Sequence, residues 1–263
     1  MAAAKVYSYA ESIDVAKSVG QYIIKHQNIA LESNPTFKIA LSGGSLGKVL
    51  KSALIDNKQV ASEVKWDKWE VYFSDERLVP LTHPDSNYGL FNELVLNNLP
   101  SSVVTKPKVI TINESLITGK EGQLDGIDKQ KDLEIAFQYQ SKLPEDGKFD
   151  VILLGCGPDG HTCSLFPGHQ LLQERSKLIA YIDDSPKQPP RRITFTFPVL
   201  ESATAIAFVA EGSGKAYILK EIFGNKQSQL PAKLVNDIST GVQVSWFVDD
   251  NAIEGVNVIA SKY

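Results

Sequence analysis

The sequence has little of what several protein classes require. Only two of its 263 residues are cysteine, Cys156 and Cys163, and their spacing fits neither a C-x-x-C motif nor a disulfide framework. No apolar run approaches the roughly 18 residues of a membrane-spanning helix. Residues 1–14 lack a basic stretch followed by an apolar one, so we predict no secretory signal. These absences favour a protein of the reducing cytoplasm that does not enter a membrane.

The chain also lacks an excess of positive charge. Its 27 Lys and Arg residues are outnumbered by 31 Asp and Glu residues, which gives a formal net charge of −4. This balance does not indicate nucleic acid or an anionic membrane as a partner, and an anionic ligand would require a local basic pocket. Hydrophobic residues make up 43% and charged residues 22%, as in an ordinary globular protein. Because no repeat, low-complexity tract or linker interrupts the chain, we predict one domain over residues 1–263.

Short β-rich runs alternate with helical patterns along the chain. Strands are predicted at residues 37–41, 69–73, 108–112, 149–154, 178–182, 192–197, 204–209 and 242–248, and helices at 12–30, 86–98, 128–142 and 213–223. Several strands are apolar on both faces, which is typical of strands that helices cover on each side. The alternation predicts an α/β fold, a doubly wound, mostly parallel sheet with helices on both faces. The polar residues 113–130 are predicted to form a surface loop.

Ligands of such sheets bind outside the carboxyl ends of the strands. The segments that directly follow strands therefore hold the candidate functional residues. Four of these segments carry residues suited to chemistry, namely SGGSLGK (42–48), SDERLVP (74–80), GCGPDGH (155–161) and EGSGK (211–215).

Two of these loops resemble nucleotide-binding motifs but miss their requirements. GCGPDG (155–160) spells G-x-G-x-x-G, yet a dinucleotide site needs its third glycine to open a helix. Only six residues separate Gly160 from Pro167, which would stop such a helix, and Pro158 removes a backbone donor. SGGSLGK has three residues between its glycines where a Walker A loop has four. We therefore predict no nucleotide site in either loop.

A strand, SGGS and a helix in succession are nevertheless suited to anion binding. Glycines allow a sharp turn, Ser42 and Ser45 offer hydroxyls, and free N–H groups at a helix start attract phosphate. A plain turn with an N-cap serine explains the same residues. Lys215 stands near the start of another predicted helix, where a cation is unfavourable unless an anion binds there. An ordinary solvated lysine is the alternative interpretation. The Asp-Glu-Arg of residues 75–77 also has a plain interpretation, a solvated turn with a weak surface ion pair.

His161 directly follows Pro-Asp-Gly at a strand end, a favourable place for a catalytic base. Asp159, two residues earlier, is suited to orient or polarise the imidazole. His161, His169 and Cys163 would also suggest a metal site, but no further ligand cluster supports it. Cys163 as a nucleophile paired with His161 is conceivable, although residues two apart on a turn often point apart.

Together these motifs resemble the glucosamine/galactosamine-6-phosphate isomerase superfamily and, within it, the 6-phosphogluconolactonases. The matching residues span about 40 to 220 and are LSGGSLGKVL (41–50), FSDERLVPLTHPDSNYG (73–89), LLGCGPDGHTCSLFPG (153–168), PRRITFTFPVL (190–200) and EGSGKAYILKEI (211–222). The resemblance implies a Rossmann-like sheet, no redox cofactor and no metal. It also implies an enzyme that hydrolyses 6-phospho-D-glucono-1,5-lactone to 6-phosphogluconate in the oxidative pentose phosphate pathway.

The resemblance implies roles for individual residues as well. His161 would be the general base, and Asp159 and Arg77 would complete the catalytic group. The residues expected to bind the substrate, chiefly its phosphate, are Ser42, Gly43, Gly44, Ser45, Arg192 and Lys215. Arg192 is chosen because it immediately precedes the Ile-Thr of the family's strand motif, and Arg191 is taken as its surface neighbour. We expect a monomer or a weak dimer that acts on a small phosphorylated sugar lactone.

The main alternative is glucosamine-6-phosphate deaminase, a sister family that shares the sugar-phosphate loop and Asp-Gly-His. That family has a glutamate soon after the histidine for ring opening, whereas the first acidic residue after His161 here is Glu174. The SDER tetrad also differs from the deaminase Met-Asp-Glu signature. A non-catalytic sugar-phosphate sensor is a third interpretation, and the joint presence of Asp159, His161, Arg77 and Lys215 argues against it. Cys163 departs from the lactonase pattern, which commonly has a small residue there.

Overall fold

The computed structural model describes residues 4–145 and 147–263, and within them the strands form two sheets. Residues 1–3, which begin the segment tested for a secretory signal, and residue 146 lie outside this range. Every strand pair of the larger, eight-stranded sheet is parallel. Its strands in spatial order are β11 (Ala260–Ser261), β1 (Lys5–Tyr9), β10 (Gln243–Asp249), β9 (Ala205–Ala210), β6 (Val151–Gly155), β2 (Phe37–Leu41), β3 (Trp69–Phe73) and β5 (Lys108–Val109).

Helices cover both faces of this sheet, because its central strands are apolar on both sides. In β6, Val151 and Leu153 belong to one hydrophobic core, and Ile152 and Leu154 belong to the other. This is the period-2 alternation of a strand that is buried on both faces. The first core takes in α1 (Ser12–Leu31), α2 (Leu46–Lys51), α3 (Lys58–Ala61) and α4 (Asn87–Leu94), and the second takes in α5 (Lys129–Ser141), α6 (Phe197–Ser202), α7 (Ala216–Gly224) and α8 (Pro231–Asn236). The predicted doubly wound α/β fold is confirmed.

α1 shows why the helical patterns of the sequence were informative. Val15, Val19, Tyr22 and Ile23 recur at helical spacing, and all four side chains are fully buried against the sheet. The observed helix therefore agrees with the predicted residues 12–30 to within one residue. Within residues 4–145 and 147–263, we find no helix with the length and apolar character that a membrane crossing requires.

The second sheet was not predicted. Residues 178–182 and 192–197 do contain the strands β7 (Ile179–Ile182) and β8 (Arg192–Phe195), but these strands pair antiparallel with each other, outside the parallel sheet. β4 (Asp75–Arg77) completes this three-stranded sheet by antiparallel pairing with β8. Because only Ser74 separates β4 from β3, the second sheet stands at the carboxyl end of the first.

The remaining differences come from pairing between distant segments. β1 and β11 were missed, and the predicted strand at 108–112 contributes two residues to the sheet. β1 is short and half polar, and it becomes a strand by pairing in parallel with β10, more than 200 residues away. The short helices α3, α6 and α8 were also missed, since four to six residues give too little periodicity to recognise.

A buried carboxylate joins α4 to β4. Glu76 accepts hydrogen bonds from the backbone N–H groups of Asn87 at 2.8 Å and Tyr88 at 2.9 Å. Ser86 caps the same helix, because its hydroxyl accepts from the N–H of Gly89 at 3.0 Å. These bonds satisfy N–H groups that have no partner inside the helix, and they fix Asn87 beside the end of β2.

Candidate active site

The carboxyl ends of β2, β6 and β9 meet β4 and β8 around one pocket of about 170 Å³. This is the edge of the sheet at which α/β proteins bind their ligands. The pocket is lined by Ser42, Gly43, Gly44, Ser45, Asp75, Arg77, Gly155, Cys156, Gly157, His161, Thr162, Cys163, Arg192, Val209 and Lys215. Every candidate substrate-binding residue is in this set, together with the candidate catalytic residues Arg77 and His161. The third catalytic candidate, Asp159, contacts His161 directly.

The loop after β6 is a compact turn rather than the start of a helix. The N–H of Gly157 donates to the carbonyl of His161 at 2.9 Å, and the N–H of Gly160 donates to the carbonyl of Gly157 at 2.9 Å. Residues 162–169 continue as turns and a single β-bridge between Thr162 and Leu165. A dinucleotide site would need a helix at this point, and the structure has turns there instead.

His161 and Asp159 form a close pair at the wall of the pocket. Nδ1 of His161 lies 2.5 Å from Oδ1 of Asp159, and the imidazole stacks on Phe166 with ring centroids 5.0 Å apart. An ionised carboxylate only accepts hydrogen bonds, so this contact assigns the proton of a neutral imidazole to Nδ1. Nε2 then keeps its lone pair, as a proton acceptor requires.

The surroundings of the pair keep the imidazole neutral and the carboxylate ionised. Burial lowers the pKa of His161, and the hydrogen bond and charge of Asp159 offset this only in part. For Asp159, burial alone would raise the pKa, but hydrogen bonds and charges from His161 and Lys187 outweigh it and hold the pKa at about 2. At neutral pH the pair therefore consists of a neutral imidazole and an ionised carboxylate.

Gly157 is needed because the pair packs directly against its backbone. A Cβ atom at this position would lie 1.9 Å from Nδ1 of His161 and 2.6 Å from Oδ1 of Asp159. Gly43 is confined in a similar way, since its Cβ would lie 1.8 Å from Oδ1 of Asn87. Asn87 in turn donates from its side chain to the carbonyl of Asp75 at 2.8 Å. Both loops thus depend on glycine for close approach rather than for flexibility.

The loop after β2 presents its backbone to the pocket. The N–H of Ser42 is bound to the carbonyl of Leu153 at 2.9 Å, and its hydroxyl lies 2.8 Å from that of Ser74. Within the described residues, the N–H groups of Gly43, Gly44 and Ser45 have no hydrogen-bond acceptor. Ser45 makes no side-chain capping bond to α2, which is at odds with the N-cap interpretation of this serine. The loop therefore has N–H groups and the hydroxyls of Ser42 and Ser45 to offer to a ligand.

Three cations surround the same pocket. Nζ of Lys215 donates to the carbonyl of Cys156 at 2.7 Å, which uses one of its three N–H bonds. Nη1 of Arg77 donates to the carbonyl of Asp85 at 2.8 Å, and its buried Nε has no hydrogen-bond partner among the described residues. The third cation, Arg192, is buried almost completely, and three backbone carbonyls accept from its guanidinium. The net negative charge of the chain is thus reversed locally.

Arg191 is not the surface neighbour that the sequence suggested. Its side chain is fully buried, and its guanidinium binds both carboxylate oxygens of Asp132, with the closest pair of atoms 2.5 Å apart. It also donates to the carbonyls of Thr118 at 2.7 Å and Gln123 at 3.1 Å, so it holds the long loop before α5. A buried guanidinium needs such a set of acceptors, and the local sequence does not show where they come from.

The alternative roles for the sulfur and imidazole groups find no support in the geometry. Cys163 is buried, and burial raises the pKa of its thiol far above the range in which a nucleophilic thiolate forms. Nε2 of His169 lies 2.9 Å from Oδ1 of Asp184, while His161 faces the pocket. Among the described residues, no group of three or more His, Cys, Asp or Glu side chains is arranged to hold a metal ion.

Sequence reasoning missed two features of the site. Nζ of Lys187 lies 3.2 Å from Oδ1 of Asp159. The segment that contains this lysine, DSPKQPP, carries no recognisable motif, so the contact could not be predicted. Ser164 donates to Oδ2 of the buried Asp75 at 2.7 Å and so joins the loop after β6 to the second sheet. A signal for Ser164 existed in its position three residues after His161, but its partner is 89 residues away.

The chain is similar to known proteins along almost its whole length. Residues 10–246 match a family model described as glucosamine-6-phosphate isomerases/6-phosphogluconolactonase. The chain is 47% identical over 247 residues to 6-phosphogluconolactonase 3 of Saccharomyces cerevisiae (strain YJM789), which covers 93% of this chain and 94% of that protein. It is 41% identical over 251 residues to 6-phosphogluconolactonase of Rattus norvegicus, at 95% and 93% coverage. The crystal structure of 6-phosphogluconolactonase from Leishmania guyanensis shares the fold, with a TM-score of 0.79, 22% identity, and coverage of 98% of this chain and 100% of that one.

Proposed function

Because the chain belongs to the family of glucosamine-6-phosphate isomerases and 6-phosphogluconolactonases, we propose that it hydrolyses 6-phospho-D-glucono-1,5-lactone to 6-phospho-D-gluconate. The observation that carries the proposal is the Asp159–His161 pair, which stands at the wall of a cation-lined pocket. A lactone is already an activated ester, so a positioned base and a site for the developing negative charge are sufficient chemistry. The lactonase names of the relatives that are 41–47% identical to the chain support the same substrate.

In the proposed reaction, Nε2 of His161 takes a proton from water as the water oxygen bonds to the lactone carbonyl carbon. The carbonyl electrons move onto its oxygen, where Arg77 and nearby backbone N–H groups stabilise the negative charge. When the carbonyl forms again, the bond from that carbon to the ring oxygen breaks, and the imidazolium returns its proton to the ring oxygen. Asp159 stays ionised throughout and stabilises the imidazolium. One water is consumed, and the product is the open-chain acid.

The substrate's phosphate would occupy the glycine loop. The N–H groups of Gly43, Gly44 and Ser45 and the hydroxyls of Ser42 and Ser45 supply donors, and Lys215 keeps two N–H bonds for phosphate oxygens. Arg192 would contribute through Nη1. Among the described residues, the one hydrogen-bond contact of this atom is a long one of 3.4 Å to Oγ of Ser164. The other guanidinium nitrogens are already bound to carbonyls.

The deaminase alternative would require a glutamate in the loop that follows His161. The carboxylate of Glu174, the first acidic residue after that histidine, accepts from the N–H of Ser176 at 2.7 Å and from its hydroxyl at 2.6 Å. Glu174 thus closes its own turn, and it does not line the pocket. The lactonase proposal has no need of such a group.

Two parallel assays test the proposal. The protein is incubated with 6-phosphogluconolactone, with acid release followed, and separately with glucosamine-6-phosphate, with ammonia followed. We expect hydrolysis well above the protein-free rate in the first assay and no ammonia in the second. The lactone also hydrolyses spontaneously, so a protein-free blank is essential. Ammonia release faster than lactone hydrolysis would favour the deaminase, and activity in neither assay would favour a sensor.

We also propose a cytoplasmic location for the enzyme. Cys156 and Cys163 are both unpaired, which suits a reducing compartment. Burial raises the pKa of the Cys156 thiol to about 12, so this thiol is expected to stay protonated beside the substrate.

A further inference from the structure

A lysine outside the recognised motifs contacts both members of the Asp159–His161 pair. Nζ of Lys187 lies 3.2 Å from Oδ1 of Asp159 and 3.1 Å from Nδ1 of His161. We propose that Lys187 is a positioning residue of the lactonase reaction, whose ammonium holds Asp159 and opposes the build-up of positive charge on His161 before substrate is bound. This inference rests on the proposed function for the reaction, but its geometric part concerns the free protein.

The position of Lys187 is fixed by its backbone. Its N–H donates to Oγ of Ser185 at 3.2 Å, and the same hydroxyl donates back to the carbonyl of Lys187 at 2.9 Å. The buried Arg192 then binds three successive carbonyls of this segment, those of Lys187 at 2.9 Å, Gln188 at 3.1 Å and Pro189 at 2.9 Å. A surface lysine on a free loop would not be held in this way. Arg192 thus joins the strand β8, which lines the pocket, to the loop that carries the ammonium.

The hydrogen-bond roles of the three side chains are determined by which of them can donate. A lysine ammonium only donates and an ionised carboxylate only accepts. Oδ1 of Asp159 therefore accepts from both Nζ of Lys187 and Nδ1–H of His161, and the contact between those two nitrogens brings two donors side by side. The ammonium thus anchors the carboxylate in the orientation that selects the Nδ1–H tautomer. Its charge also disfavours a second proton on the ring.

Other charges face His161, and Lys187 is distinguished from them by its contact. The charge of the buried Asp75 of β4 favours protonation of the imidazole. Arg77, Arg192 and Lys215 line the same pocket as His161. Among the described residues, Lys187 is the cation within hydrogen-bond distance of both members of the pair. Its side chain is 36% exposed, so its effect is expected to be moderate.

The test combines ring titration with kinetics in three substitutions. Lys187→Met removes the charge and the donor, Lys187→Gln keeps a donor without charge, and Lys187→Arg keeps both. Lys129→Met is the matched control, because Nζ of Lys129 lies 2.7 Å from a carboxylate oxygen of Asp183. This second lysine–aspartate pair is near the same loop but outside the pocket. Histidine-labelled protein is titrated by NMR without substrate, and the His161 signal is assigned by its loss in His161→Asn. The pH dependence of kcat/KM is then measured with 6-phosphogluconolactone.

In Lys187→Met and Lys187→Gln, we expect His161 to take up its proton at higher pH than in the wild type. The acid limb of kcat/KM should move the same way, with a loss of about three- to tenfold on that limb and a smaller loss at higher pH. Lys187→Arg and Lys129→Met should titrate like the wild type.

An unshifted His161 titration in both neutral variants would overturn the inference, as would failure of both to fold, since Lys187 would then serve stability alone. A loss of kcat that is equal at every pH would also contradict it. If the ring titration shifts but no variant or wild type hydrolyses the lactone, the proposed function fails while the placement of Lys187 stands.

Discussion

Replacing Gly157 with alanine should disable the site while leaving the fold intact. The new Cβ would lie 1.9 Å from Nδ1 of His161, and real Cβ atoms essentially never approach another heavy atom closer than 3.0 Å. The imidazole must therefore retreat by more than 1 Å. A displacement of about 1 Å in a catalytic group lowers the rate by about 100-fold, so we expect kcat to fall by about that factor. Because the obstructing atoms belong to a side chain that is able to rotate, and Gly157 has no positive φ, stability should change little.

Steady-state hydrolysis of 6-phosphogluconolactone, corrected for the protein-free rate, measures the effect of Gly157→Ala. Gly224→Ala is the matched control, because a Cβ at Gly224 meets no atom within 4 Å and the residue lies at the end of α7, away from the pocket. This control should show wild-type kcat. Thermal unfolding of both variants should stay within a few degrees of the wild type. A folded Gly157→Ala protein with wild-type kcat would refute the argument that the Asp159–His161 pair must sit against this backbone.

Three further predictions follow from the cations and the base. Lys215→Met should raise KM for the phosphorylated lactone by about 10- to 100-fold through loss of a charge-assisted contact, whereas Lys220→Met on the exposed side of α7 should not, as steady-state kinetics will show. Arg191→Met should lower the free energy of unfolding in urea by about 3–5 kcal/mol, because it leaves the buried Asp132 carboxylate unpaired, and a loss below 1 kcal/mol would contradict this. Since burial lowers the pKa of His161 from its ordinary value of 6.5, kcat/KM should hold its neutral value down to below pH 6.5 and fall only when the imidazole is protonated, whereas an acid limb above pH 6.5 would contradict this.

The parts of the fold and site that depend on local pattern could be predicted from the sequence. α1 and β6 carry their helical and strand periods within single segments, and the predicted bounds were correct to within one residue for α1 and two for β6. Ligands bind at the carboxyl ends of parallel strands, so loops 42–45 and 155–161 could be named from the sequence as candidate ligand-binding segments. The placement of residues 42–45, His161 and Lys215 at one pocket follows from that rule, whereas Arg77 and Arg192 reach it through the second sheet, which was not predicted. Their individual roles in catalysis and binding stay predictions.

The parts that were missed depend on partners far apart in the chain. Arg191 and Arg192 are adjacent in sequence, yet Arg191 binds Asp132, 59 residues away, while Arg192 binds carbonyls only three to five residues before it. The distant carboxylate that pairs with Arg191 does not show in the residues around that arginine. Lys187 reaches Asp159 across 28 residues, and it does so through a loop whose shape is fixed by buried guanidinium contacts. A propensity or motif argument does not extend to such contacts.

The central claim is that His161 activates water for lactone hydrolysis. It is tested most directly by measuring kcat and KM for 6-phosphogluconolactone in the wild type and in His161→Asn, each against the protein-free rate. Loss of a general base should lower kcat by about 10²- to 10⁴-fold with little change in KM, because the phosphate loop is untouched. Near-normal turnover in a folded His161→Asn protein would contradict the account.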